Sequence, residues 1–175
     1  HALTARDLLA VIESSIGDRF DERVLFALNE RRVDRLEKRN ILKGELENLT
    51  MELRIFGAIQ SKIHSKQSAK EKYEPGNTSF QASDFGYDSE ASFKASPEYA
   101  YLTSNKFENH KDFLTKQGVS VAADSFEGDQ LASFSNSVSD QSKVKNDTVQ
   151  LKTTELSDIS SQYNATVEAM NKFVQ

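Results

Sequence analysis

From Leu42 onward, apolar residues recur at alternating steps of four and three: Leu42, Leu46, Leu49, Leu53, Phe56, Gln60 and Ile63, with only Gln60 polar. This is a heptad seam, the pattern that keeps one stripe of a helix turned toward a second helix along its length. No proline interrupts residues 1–74, so one helix over 36–70 is expected, roughly 50 Å long at the α-helical rise. A helix of that length cannot be wrapped by a small globule. It needs a mate of similar length.

The C-terminal stretch 141–175 supplies one. Val149, Leu156, Ile159, Tyr163, Thr166, Met170 and Phe173 fall at steps of seven, three, four, three, four and three. Two seams in one chain, separated by an insert, predict a mainly α fold: a long antiparallel intramolecular coiled coil carrying a small cap module at 71–140. Gln60, Tyr163 and Thr166 are the polar positions, and polar seam residues fix register more than they add stability. A second apolar line, Ile55 and Ile59, widens the first helix beyond a strict seam, so something besides its coiled-coil mate is expected to cover it, and the line is a candidate face for a partner helix.

Ahead of the seam, residues 1–35 read as short helices. Thr4 and Asp7 form a capping box, Leu8, Leu9, Ile12 and Ile16 make an apolar face, Gly17 offers a stop, and Asp18 can cap a second helix bearing Val24, Leu25 and Leu28. The insert holds both prolines, Pro75 and Pro97, and four of the seven glycines, Gly76, Gly86, Gly118 and Gly128. It is also rich in Phe and Tyr, which favours a folded module over a flexible linker. Short helices are expected from Ser96, with Pro97 in the first turn, and from Asn109 to Gln117, closed by Gly118. Some strand is allowed there, making α+β a variant of the same reading. The serine-rich stretch Ser133 to Ser142 is expected to be a mobile loop.

Composition narrows function mainly by exclusion. Without cysteine, disulfides, thiolate metal sites and cysteine nucleophiles are absent. His1, His64 and His110 share no metal-ligand spacing. Asp84-Phe85-Gly86 matches a kinase tripeptide with no accompanying kinase motif. Asp124, Glu127 and Asp129 flank Gly128 without the twelve-residue calcium loop. No nucleophile elbow or phosphate-cradling loop occurs. No catalytic residue, metal or cofactor is therefore expected. Residues 21–73 carry 12 basic and 9 acidic side chains, whereas 74–140 carry 4 and 11. The basic side chains alternate with acidic ones and no aromatic platform interleaves, so nucleic acid is not an expected partner. No apolar run approaches the roughly 20 residues that span a bilayer, and no basic-then-apolar leader opens the sequence.

Four colinear stretches carry a family likeness. The run Lys152-Thr-Thr-Glu-Leu-Ser-Asp-Ile-Ser-Ser-Gln-Tyr-Asn164, with Val167 to Gln175, closely resembles the final helix of the V antigen family. Glu45 to Leu53 with Ala58-Ile-Gln60 resembles its first long helix. Phe85-Gly-Tyr87, Phe93 to Tyr99 and Lys111 to Leu114 resemble its central module, and Phe134 with Ser139-Asp140 the lead-in to the last helix. The resemblance implies a non-enzymatic protein that caps the type III secretion needle as a homopentamer and helps insert the translocon pore, touching the host membrane only indirectly. Implied partners are its own copies, the needle subunit, translocator proteins and a small helical cytosolic chaperone that holds it before export. Implied locations are the cytoplasm and then the bacterial surface at the needle tip. It also implies that the family's N-terminal globular domain and the end of its last helix lie outside this sequence. The alternative is a cytosolic helical adaptor or secretion chaperone that binds a partner helix through Ile55 and Ile59.

Overall fold

The computed structural model describes residues 5–174, and the side chains of Arg6 and of residues 21–174. Five α-helices account for most of it: α1 (Ala5–Ala69), α2 (Glu90–Lys94), α3 (Pro97–Ser104), α4 (His110–Lys116) and α5 (Gly128–Val174). The fold is mainly α. Among the described residues the only extended pairings are two isolated bridges, Tyr73 with Phe126 and Ser79 with Asn109, so the α+β variant is not realised. The chain divides into two compact units, one of His1–Glu45 with Lys152–Gln175 and one of Leu46–Leu151.

Two expectations about helix ends are corrected. The short helices placed at 1–35 are the first half of α1, which passes through Gly17 and Asp18 without a break. A single glycine inside a helix costs only about 1 kcal/mol relative to alanine, less than a long helix regains by continuing. The capping residue Thr4 and the side chains of Asp7, Leu8, Leu9, Ile12 and Ile16 lie outside the described residues. At the other end, α5 begins at Gly128 rather than near 141, so Ser133 to Ser142 is helix and not a loop. Leu131, Phe134 and Val138, at helical spacing through that stretch, are 1%, 5% and 0% exposed. Their burial outweighs the modest helix propensity of the serines between them.

The short helices of the second unit start and stop where local chemistry dictates. Ser96 accepts a hydrogen bond from the Tyr99 N–H, with Pro97 opening α3, and Asn109 accepts one from the Asp112 N–H, opening α4. Each cap satisfies an N–H that the helix itself leaves unbonded. Gly118, with φ of 89°, closes α4 in the left-handed region. Lys70 and Lys106 hold the same left-handed position after α1 and α3, at φ of 56° and 58°. There a lysine keeps its charge beside the negative end of the helix dipole.

The core of the second unit is built around the Ile55 to Ile63 face of α1. Ile55, Phe56, Ile59 and Ile63 are fully buried together with Phe113 and Leu114 of α4 and Val138 of α5. The Phe56 and Phe113 rings meet edge to face at 5.1 Å. Burying each such side chain contributes about 1.5–3 kcal/mol.

Candidate interaction surfaces

In the first unit, α1 and α5 run antiparallel, as the contact order shows. Glu45 pairs with Lys152 at 2.6 Å, the Arg39 guanidinium lies 4.9 Å from the centre of the Tyr163 ring, and Arg35 donates to Gln162 at 3.0 Å. The hydrogen bond to Glu45 holds the Lys152 ammonium above its ordinary pKa. Leu42, Leu156, Ile159, Tyr163 and Met170 are half-buried, whereas Phe173 remains 45% exposed. Tyr163 thus meets a cation on the facing helix. Thr166 is buried and turns its hydroxyl onto its own helix, donating to the Gln162 carbonyl at 2.9 Å.

The first unit also presents an apolar line that stays exposed among the described residues. Phe26, Val33 and Ile41 are 64%, 48% and 53% exposed. Ile41 and Leu42 of α1, with Ile159 of α5, line a groove of about 400 Å³ bordered by Lys38, Glu155 and Asp158.

In the second unit the seam tightens along α1. Leu46, Leu49 and Leu53 are half-buried, whereas Phe56 and Ile63 are buried. Val149 of α5 is half-buried. Gln60, the polar seam position, donates to the Ser139 hydroxyl of α5 at 3.2 Å. Glu52 receives Lys145 of α5 on one oxygen and the Tyr101 hydroxyl of α3 on the other, at 3.0 Å. One carboxylate therefore ties three helices together. Burial first, and the charge of Glu52 second, raise the pKa of Tyr101.

Ile55 and Ile59 do not form a partner-helix face. Both are 0% exposed within the core that α1 shares with the insert. The extra apolar line widens α1 because the chain's own cap packs on it.

Beside that core, Glu98 of α3 is 2% exposed. Its carboxylate accepts the Tyr87 hydroxyl at 2.6 Å and pairs with Arg54 of α1. Burial works to raise its pKa, but the Tyr87 hydrogen bond, its own backbone N–H and the Arg54 charge outweigh it and hold the group below the usual carboxylate range.

His110 is the buried group that sequence reasoning did not single out as core. It is 0% exposed, its Nδ1 lies 2.7 Å from the Tyr73 hydroxyl, and Phe80 packs over it at 4.7 Å between ring centres. Its Nε2 is buried without a hydrogen-bond partner. Burial first, and the nearby Lys62 charge second, push its pKa down to about 3, so the ring is neutral. Burial likewise raises the pKa of Tyr73.

Among the described residues no group of His, Asp and Glu is arranged to hold a metal ion, and no helix is long and apolar enough to cross a membrane.

Comparison with known proteins gives consistent matches along the chain. A family profile described as V antigen (LcrV) protein matches residues 1–175. The chain is 33% identical over 195 aligned positions to the Virulence-associated V antigen of Yersinia pseudotuberculosis serotype I (strain IP32953), an alignment covering 97% of this chain and 60% of that protein. Proteins of the same name from Yersinia pestis (strain Pestoides F) and Yersinia pestis are each 32% identical over the same shares. The chain spans about 60% of the length of these relatives.

Proposed function

Since the chain belongs to the V antigen family, we propose that it is the helical portion of a type III secretion needle-tip protein and acts in virulence. On this reading the whole protein caps the needle as a homopentamer and helps the translocator proteins insert their pore. It contacts the needle subunit and its own copies through helix faces, and a small helical chaperone holds it in the cytoplasm before export. It performs no covalent chemistry. The observation that carries the reading is the antiparallel pairing of α1 and α5, fixed by Glu45 with Lys152 and Arg39 with Tyr163. Such a pair offers long, partly apolar helix surfaces of the kind that assemble with other helices. The exposed line of Phe26, Val33 and Ile41 supports it, because apolar residues aligned on one helix face mark a contact surface.

The adaptor alternative loses its specific support, because the face it relied on, Ile55 and Ile59, is already buried. The decisive experiment deletes the full-length gene. Needles should still assemble, pore formation in host membranes should be lost, and negative-stain images should lack a density at the needle end. Intact pore formation in the deletion strain would overturn the proposal.

A further inference from the structure

Residues 74–81 form a strap over His110. It starts beside Tyr73, which is wholly buried and bridged to Phe126, and ends at the tight turn of Ala82–Phe85, where Phe85 stacks on Phe93 at 5.7 Å. Both ends are anchored, whereas between them Gly76, Asn77, Ser79 and Gln81 are exposed and only Pro75 is fully buried. The strap meets α4 in three ways: the His110 N–H donates to the Thr78 carbonyl at 2.9 Å, Ser79 bridges to Asn109, and the Phe80 ring lies against the imidazole. The Asn77 N–H and the Thr78 hydroxyl stay within the strap, both donating to the Glu74 carbonyl. α4 itself is held in the core by Phe113 and Leu114, each 0% exposed. The strap is therefore the part of this contact that leaves at the smaller cost.

His110 is where acid acts on the contact. Its Nδ1 is engaged by the Tyr73 hydroxyl at 2.7 Å, and its Nε2 is buried with no partner. A second proton on the closed ring would place a full charge, and an N–H without an acceptor, inside the core. The groups packed around the ring do not relieve that cost. From α1, Lys62 adds a like charge and leans toward Asp84 at 4.0 Å. On the strap, Glu74 is engaged by Lys72 and Asn77. On α4, Asp112 accepts the Glu108 N–H, and Lys111 brings a further positive charge. From α5 comes the Phe134 ring, against Tyr73. Once the strap lifts, the imidazole reaches water and titrates at about 6.5. We propose that residues 74–81 are an acid-released strap: protonation of His110 favours the state in which the strap has lifted from α4 and bared the His110, Tyr73 and Phe80 rings. The closed pKa, about 3, lies below the open one, so release grows as the pH falls through about 6.5 and levels off near 3. This goes beyond the needle-tip reading and does not depend on it.

The test is native-state hydrogen exchange of the chain, each rate being divided by the intrinsic rate of that amide at the same pH. The His110 amide, bonded to Thr78, reports the strap, and the Tyr73 and Phe126 amides, bonded to one another's carbonyls, report opening of the unit. Between pH 7 and pH 5 the corrected rate at His110 should rise about 25-fold. It should depend little on added urea, because lifting a short strap exposes little surface. Tyr73 and Phe126 should exchange more slowly, with a steep urea dependence. In His110→Phe the rise at residue 110 should disappear. Phe80→Ala, which removes the strap's ring from the imidazole, should speed the His110 amide at pH 7 by about tenfold or more. The proposal is overturned if the His110 amide shares the urea slope of Tyr73 and Phe126, if its corrected rate rises less than about threefold from pH 7 to pH 5, or if the rise persists in His110→Phe. The first two criteria are read on the parent chain alone, so they decide even where a variant fails to fold.

Discussion

Replacing His110 by phenylalanine tests how the buried core of the second unit responds to acid. The parent ring is neutral, wholly buried, bonded at Nδ1 to Tyr73 and unpartnered at Nε2, with its pKa pushed down to about 3. In the unfolded chain a histidine titrates near 6.5. The folded value lies below the unfolded one, so the unfolded state takes up the proton first. The stabilisation is fully present above about pH 6.5 and is lost progressively down to about pH 3. Each pH unit inside that window is worth about 1.4 kcal/mol. From pH 7 to pH 5 the parent should therefore lose about 2 kcal/mol from this group, and by pH 3 about 4 kcal/mol. Glu74 and Glu98, whose pKa values are lowered, contribute stability that is lost only below the ordinary carboxylate range, so the interval from pH 7 to pH 5 isolates His110. In His110→Phe the ring against Phe80 is retained, but the buried Tyr73 hydroxyl loses its partner, at a cost of about 1–3 kcal/mol at pH 7. The assay is urea unfolding followed by far-ultraviolet circular dichroism at pH 7, 6 and 5. The gap between parent and variant should close by about 2 kcal/mol as the pH falls. A gap constant to within about 0.5 kcal/mol across those pH values would refute the assignment of a neutral, buried histidine.

Four further outcomes are expected. Phe56→Ala, which empties space against Phe113, should lower stability by about 3–5 kcal/mol in the same denaturation assay. Gly118→Ala should cost about 1–2 kcal/mol from backbone strain alone, because φ is 89° and no neighbouring atom lies within 4 Å of the added methyl group. Glu98→Gln should cost about 1–2 kcal/mol, seen as a lower urea midpoint, with most of the loss from the buried bond to Tyr87. The Arg54 side chain, 61% exposed, leaves the ion pair itself a minor part. Finally, Arg35→Cys with Gln162→Cys should be bridged within one chain by a short bifunctional maleimide at low protein concentration. Exclusively intermolecular products on denaturing gels would contradict the antiparallel register of the first unit.

The seam of α1 was legible because spacing carries it: a stripe of leucines at steps of four and three has one physical use. The start of α5 was not, because composition and burial pull in opposite directions there. Ser133, Ser135, Ser137 and Ser139 look like a loop, and only the buried Leu131, Phe134 and Val138 between them show that one face of the stretch is core. Their spacing of three and four was the available signal. Gly17 misled for a related reason, since a weak local preference was set against a helix long enough to absorb it. The widening of α1 at Ile55 and Ile59 was visible, but what covers it comes from Phe113 and Leu114, distant in sequence. Local pattern cannot tell a face covered by the same chain from one left for another. His110 gave no sequence signal, because a lone histidine reveals neither its burial nor its contact with Tyr73.

Tyr73 and Phe126 exchange both backbone hydrogen bonds, Tyr73 donating at 2.8 Å and Phe126 at 2.9 Å, while the Phe126 ring stacks on Phe134 and the Tyr73 ring meets it at a tilt, 6.0 Å between centres. The excursion between them is thereby closed at its neck before its contents matter. Lengthening or shortening a loop whose ends are already clamped changes the closure cost only by a slowly varying logarithmic amount. α1 and α5 need not shift when the insert grows. The Yersinia relative aligns over 195 positions, more than the 175 residues of this chain, so it carries additional residues within the aligned region. A clamped neck is the kind of joint that lets a lineage vary the inserted segment while the helices that hold it keep their register.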